Sequence, residues 1–223
     1  MSLRQRAPRV GAAGASSSGN CSMPSGADKR WGAAELVVMG ASTGGPTALA
    51  SILSGLPKTF PLPIAVVQHM PEAFTRTFAA RLNQESSLQV FEAAKGNRLR
   101  PGTVAIAPGG RQMRVHRDLE GWFVELGEET PWHNHVPSVD VLFDSAARAA
   151  HQPVIAVLLT GMGKDGAEGM EKIHRRGGIT IAQSKESSVV FGMPRAAIER
   201  GCVDYVADLE EIPALLMKLS MNR

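Results

Sequence analysis

Six short apolar runs that do not alternate with polar residues constrain this chain more than any other feature: 36–39, 63–68, 104–107, 154–159, 179–182 and 203–206. A strand with one wet face alternates apolar with polar, whereas a run without alternation suits a strand covered on both faces. Stretches with helical spacing lie between most of them, at 46–53, 72–82, 138–150, 167–175, 194–199 and 209–219. Strand alternating with helix predicts an α/β fold, a doubly wound and mostly parallel sheet with helices on both faces. The exception is 112–126, where two short runs flank the polar Arg117-Asp118-Leu119-Glu120-Gly121 segment. That pattern predicts an antiparallel hairpin, placed as an insertion or at a sheet edge.

Residues 1–34 are rich in Ala, Gly and Ser and offer little to bury, which marks a disordered tail or linker ahead of one folded domain over 35–223. Of the 24 basic and 21 acidic residues, that first stretch holds Arg4, Arg6, Arg9, Lys29 and Arg30 against Asp28. The rest of the chain, with 19 basic and 20 acidic residues, is almost neutral. The basic balance therefore describes a tail and not a binding face, and nucleic acid is not an expected partner. Cys21 and Cys202 have neither metal-ligand spacing nor the density of a disulfide scaffold, which fits a reducing compartment. No apolar run approaches the roughly 20 residues that cross a bilayer, and the start lacks the apolar core of a secretory signal. Ser18-Gly19-Asn20-Cys21 lacks the apolar segment that a lipoprotein signal places before such a site. The Arg- and Ser-rich, acid-poor start also has the composition of an organelle transit peptide, although a linker accounts for it more simply. A cytoplasmic protein without direct membrane insertion is expected.

Ligands of open α/β sheets bind beyond the carboxyl ends of the strands, and three of those ends carry reactive groups. The first run leads into Gly40-Ala41-Ser42-Thr43-Gly44-Gly45-Pro46, a Gly-x-Ser-x-Gly pattern at a strand-to-helix turn. Its glycines allow a turn sharp enough to present the hydroxyl, Pro46 suits the first helical turn, and backbone N–H groups there, with Thr43 next to the serine, are candidate oxyanion donors. A serine hydroxyl needs a base within reach, and the second run ends in Gln68-His69. A later run ends in Thr160-Gly161-Met162-Gly163-Lys164-Asp165-Gly166, whose carboxylate is suited to hold an imidazole in the right tautomer. Nucleophile, base and orienter are then Ser42, His69 and Asp165, with the Met162 N–H as a second candidate oxyanion donor.

Each residue has a plainer reading. Ser42 is also compatible with a simple tight turn, His69 with a structural hydrogen bond, and Asp165 with a cap on the helix starting near Gly166. A phosphate cradle at 40–45 has the wrong glycine spacing, and the second run ends in Gln68-His69 where a dinucleotide fold needs an acid. His133-Asn134-His135 lacks nearby Cys or carboxylate ligands, so neither metal nor cofactor is expected. Met113, Met162, Met170 and Met193 are read as core or pocket-lining residues.

Six stretches in order then carry a resemblance: 40–46, Val67-Gln68-His69-Met70-Pro71, Ile106-Ala107-Pro108-Gly109, Pro137-Ser138-Val139-Asp140-Val141-Leu142-Phe143, 159–166 and Phe191-Gly192-Met193-Pro194. From about Leu36 to the C-terminal helix, the chain resembles the catalytic domain of the chemotaxis protein-glutamate methylesterases. The resemblance puts that family's serine, histidine and aspartate on Ser42, His69 and Asp165. It implies demethylation of glutamyl γ-methyl esters on the cytoplasmic helices of methyl-accepting chemotaxis receptors, with methanol released. Some relatives also deamidate receptor glutamines. Family members usually carry a receiver domain ahead of this one, and about 34 residues are too few for a domain, so a separate regulatory or receiver domain is a further candidate partner. A histidine common in the family stands as Gln112 here, which marks substrate contacts at the site edge as a place of difference. Arg76, Arg100 and Arg111 are candidates to meet an acidic receptor surface. A general small-ester hydrolase and a non-catalytic interaction module of the same fold remain the alternatives.

Overall fold

The computed structural model describes residues 34–127 and 135–221. Seven strands form one sheet: β1 (Leu36–Ala41), β2 (Ile64–Gln68), β3 (Gln89–Glu92), β4 (Thr103–Ile106), β7 (Val154–Leu158), β8 (Ile179–Gln183) and β9 (Tyr205–Ala207). Their spatial order is β3-β4-β2-β1-β7-β8-β9, and every pairing is parallel. The remaining two, β5 (Gln112–Asp118) and β6 (Gly121–Gly127), pair antiparallel as a separate two-stranded sheet. The expected hairpin is thus an insertion and not a sheet edge.

The lack of alternation in the apolar runs has the expected cause. All six β1 residues and all five of each of β2, β7 and β8 are buried, because both faces are covered. Side chains alternate between those faces. Val37, Met39, Ile64, Val66, Ile155 and Val157 pack with residues of α1 (Gly45–Ser54), α2 (Glu72–Glu85) and α6 (Ile212–Met221). Leu36, Val38, Ala65, Val67, Ala156 and Leu158 pack with α3 (Val139–Ala149), α4 (Ala167–Arg175), α5 (Met193–Glu199) and the hairpin. At about 1.5–3 kcal/mol per fully buried large apolar side chain, these two clusters supply the main driving force against chain entropy.

Two strands differ from the sequence reading. β3 is an extra edge strand: Gln89-Val90-Phe91-Glu92 has only Val90 buried, so it carries no continuous apolar run. The last strand pairs through Tyr205 to Ala207, two residues beyond the expected start, although Val203 is buried. The stretch read as a tail lies outside the described residues except for Ala34.

From β1 the chain crosses to β2 on one side, and later returns through α3 to β7 on the other. The crevice beyond the carboxyl ends of β1, β2 and β7 is therefore the switch point of the sheet, where ligands of such folds bind.

Candidate active site

The turn after β1 is built to bring three elements together. Gly44 sits at φ 82°, a left-handed conformation that L side chains rarely adopt, and starts α1, with Pro46 in its first turn. Gly40 has a different reason: a Cβ there would lie 2.2 Å from Val139 Cγ1, so its absence lets the first turn of α3 rest against the end of β1. Ser42 N donates to Thr160 O (3.0 Å) and His69 N donates to Ala41 O (3.0 Å), which prolongs the β-type pairing just past the strand ends. Ser42 and His69 thus leave neighbouring strands side by side, and the Gly161 backbone lies so close that a Cβ on it would be 2.7 Å from Ser42 Cβ.

His69 Nε2 and Asp165 Oδ2 are 2.7 Å apart, with side chains only 12% and 9% exposed. An ionised carboxylate can only accept, so the ring nitrogen carrying hydrogen is Nε2 and the lone pair is on Nδ1. Among the described residues, no hydrogen bond joins Ser42 Oγ to the ring. On its other face His69 stacks on His135, with centroids 4.2 Å apart and planes inclined by 15°. Burial and the neighbouring His69 lower the His135 pKa from its ordinary value, against the smaller opposing effect of Asp165.

Asp165 does not cap the helix that follows it, since α4 starts from Gly166 without a side-chain cap. It sits instead on the N-terminus of α3. Oδ2 accepts from Val139 N (2.7 Å) as well as from His69, and Oδ1 accepts from Ser138 Oγ (2.9 Å) and Asp140 N (3.0 Å). Burial alone would raise the Asp165 pKa, but the hydrogen bond from His69 and the Asp140 and Val139 amides outweigh it and hold the carboxyl well below its usual range. The positive end of the α3 dipole acts in the same direction. Asp140 behaves oppositely: burial pushes it up to about 6 despite the Gly169 N–H, and the Asp165 charge adds to the rise. Of the two neighbouring carboxyls, Asp165 is the one that keeps its charge to the lower pH.

Three buried glutamines brace this arrangement, and none was singled out as a brace from the sequence. Gln112 is fully buried, accepts from Ser138 N (2.8 Å) and donates to His135 O (2.9 Å), which fixes the start of α3. Gln112 itself therefore lies beneath the surface and presents no side chain at the site edge. Gln183 accepts from Thr160 N (2.8 Å) and donates to Ser187 O (2.8 Å), while Thr160 Oγ1 donates to Thr43 O (2.9 Å). Gln68 donates to the carbonyls of both Ser42 (2.9 Å) and His69 (3.0 Å).

Among the described residues, the Thr43 and Met162 N–H groups donate to no backbone carbonyl, which leaves them free for a ligand oxygen. The Met162 side chain is 73% exposed, unlike Met113, Met170 and Met193, which are wholly buried. With Val189 (71% exposed) packed beside Gly44, it gives the site an open, apolar margin. A half-open cleft of about 110 Å³ between Ala150, Pro153, Ile173 and Arg176 lies at the opposite end of β7 and takes no part. Arg100, just before β4, is likewise at the wrong end of the sheet to meet a substrate, whereas Arg76 on α2 and Arg111 after β4 are exposed nearer the strand ends. Of the histidines considered for a metal, His133 lies outside the described residues and His135 is the stacking partner of His69. No group of acids, histidines and cysteines fit for a metal exists among the described residues.

Residues 37–216 match the CheB methylesterase family. A protein-glutamate methylesterase/protein-glutamine glutaminase of Koribacter versatilis is 48% identical over 183 residues, covering 82% of this chain and 50% of the relative. A protein of the same description from Geobacter metallireducens is 49% identical over 182 residues, with the same shares. This chain thus spans about half the length of the curated relatives it matches. The crystal structure of the Thermotoga maritima CheB methylesterase catalytic domain superimposes with a TM-score of 0.81 at 46% identity, covering 83% of this chain and 98% of that one.

Proposed function

Given that this chain belongs to the CheB methylesterase family, we propose that it is a serine hydrolase acting on glutamyl γ-methyl esters of chemotaxis receptors, with Ser42, His69 and Asp165 as its catalytic residues. The observation that carries the reading is the 2.7 Å bond from His69 Nε2 to Asp165 Oδ2, which leaves Nδ1 as the ring nitrogen with a free lone pair. As Ser42 Oγ attacks the ester carbonyl, His69 Nδ1 takes its proton, and the imidazolium that forms is stabilised by the charged Asp165. The Thr43 and Met162 N–H groups donate to the oxyanion. The tetrahedral intermediate collapses, His69 returns the proton to the leaving methoxide, and methanol departs from the acyl-serine. Water then attacks with His69 again as base, freeing the glutamate and Ser42. A glutamine side chain follows the same steps with ammonia as leaving group, in keeping with the second activity in the relatives' names.

The open margin of the site favours a glutamyl side chain projecting from a helix over a small free ester. Its proposed partners are the cytoplasmic helices of methyl-accepting receptors, met by Arg76 and Arg111, and a regulatory or receiver domain. The proposed location is the cytoplasm; no helix of the described residues is long and apolar enough to cross a membrane.

The test is methanol release from methylated receptor in membranes. Release by the native protein that is absent with Ser42→Ala supports the reading, and release undiminished in that variant removes Ser42 as nucleophile. Failure on receptor with turnover of small esters moves the protein to the small-ester class. No turnover of either substrate moves it to the binding-module class.

A further inference from the structure

We infer that Gln68 is a positioning residue, which holds nucleophile and base in register through a single amide group; the inference rests on Ser42 and His69 filling those roles. Gln68 is the last residue of β2 and only 2% exposed, so it touches no substrate. Its side chain crosses to the neighbouring turn and donates from Nε2 to Ser42 O (2.9 Å) and to His69 O (3.0 Å). Both partners are carbonyls, so the NH₂ end must face them, and the orientation of the amide is fixed. Both hydrogens of one nitrogen are used on the two residues that must meet, which come from different strands. No other side chain among the described residues bonds to the backbone of both.

The oxygen of the same amide gives the second observation. Gln68 Oε1 is buried without a hydrogen-bond partner. A buried acceptor left unpaired costs stability, so packing alone does not explain a glutamine where methionine would fill the same length. The surroundings are shaped to admit it: a Cβ on Gly45 would lie 2.0 Å from that oxygen. Gly45 opens α1 at an ordinary helical position, and α1 has its left-handed residue at Gly44 instead. The glycine at 45 thus leaves room for the Gln68 amide as well as for Ala41 Cβ, which would lie 2.8 Å from the added carbon.

Without the clamp, Ser42 N keeps its bond to Thr160 O and His69 N still joins the β1 end through Ala41 O, so the strand ends remain paired while the side-chain link between the Ser42 and His69 carbonyls is lost. A displacement near 1 Å at reacting groups costs on the order of 10²-fold in rate. Gln68→Met, which keeps the bulk and removes both donors, is expected to lower kcat by about that factor with KM unchanged. Gly45→Ala, which leaves Gln68 present and pushes its amide aside while also pressing on Ala41 Cβ, is expected to show the same split. Gln68→Glu adds a readout that loss of packing would not move. When ionised it turns oxygens toward two carbonyls; once protonated, its one O–H can donate to one of them. Its kcat relative to native therefore rises as pH falls, while the ratio for Gln68→Met stays flat.

The experiment measures kcat and KM on methylated receptor for the native protein, these three variants and Ser42→Ala, each normalised to its folded fraction by near-ultraviolet circular dichroism. A low kcat at native KM in Gln68→Met and Gly45→Ala, with the pH-dependent ratio in Gln68→Glu, is the expected result. Native kcat per folded molecule in either of the first two, or a flat Gln68→Glu ratio, overturns the inference while Ser42→Ala stays inactive. An active Ser42→Ala instead overturns the catalytic assignment on which it rests.

Discussion

Replacing Asp165 by asparagine separates charge from shape at this site. The carboxylate has a backbone donor at each oxygen, Val139 N at Oδ2 and Asp140 N at Oδ1, so neither orientation of an amide fits. If the NH₂ group replaces Oδ2, it faces the Val139 N–H and the ring Nε2, which forces hydrogen onto Nδ1 and removes the base. If it replaces Oδ1, it faces the Asp140 N–H, and the charge that stabilises the imidazolium is still lost. The expected fall in kcat is on the order of 10⁴-fold, equivalent to about 5 kcal/mol of transition-state stabilisation, with KM little changed. One buried donor left facing another costs about 1–3 kcal/mol of folding stability. The pKa of Asp165 is lowered on folding, so its contribution to stability is complete above the ordinary carboxyl range near pH 4 and is lost as pH falls through the lowered value. The stability gap between native protein and Asp165→Asn in urea therefore narrows in acid. Methanol release within tenfold of native would refute the orienting role, and a gap independent of pH would refute the electrostatic part of the reasoning.

Asp140 has its pKa raised to about 6, so its ionisation costs stability as pH rises through that value. Asp140→Asn, which keeps an oxygen for Gly169 N, is expected to be more stable than native at pH 7–8 and to lose that advantage below about pH 4 in denaturant titrations. Gly40→Ala drives a methyl into Val139 and displaces the α3 N-terminus that holds Asp165; about 1–3 kcal/mol lower stability and a reduced kcat are expected together. Phe143→Ala, at a fully buried α3 position, is expected to cost about 3–5 kcal/mol in urea unfolding.

The central strands were legible because burial on both faces removes alternation, as in the five buried residues of β7. β3 was not, because an edge strand with one buried residue has the composition of a loop. That Ser42, His69 and Asp165 stand at the ends of buried strands is legible from the apolar runs alone, without knowledge of strand order. What Asp165 rests on was hidden, since its partners Val139 and Asp140 lie 26 and 25 residues away and become neighbours only because the start of α3 lies beside the carboxyl end of β7. The glutamines were hidden for a related reason. Gln68 and Gln112 are polar residues next to a histidine and after a glycine-rich turn, and only the fold shows that they are buried with their amides on site backbone. Met162 was placed with the core methionines as one option, but its exposure comes from the turn after β7 and not from its residue type.

The most direct test of Ser42 as a nucleophile activated by His69 and Asp165 is covalent capture. The protein is treated with a fluorophosphonate, digested, and the adduct located by tandem mass spectrometry, in parallel with His69→Gln and Asp165→Asn. The expected result is a single adduct on Ser42 that forms far more slowly in both variants. An adduct on another residue, or one on Ser42 that forms at the native rate without His69, would contradict it.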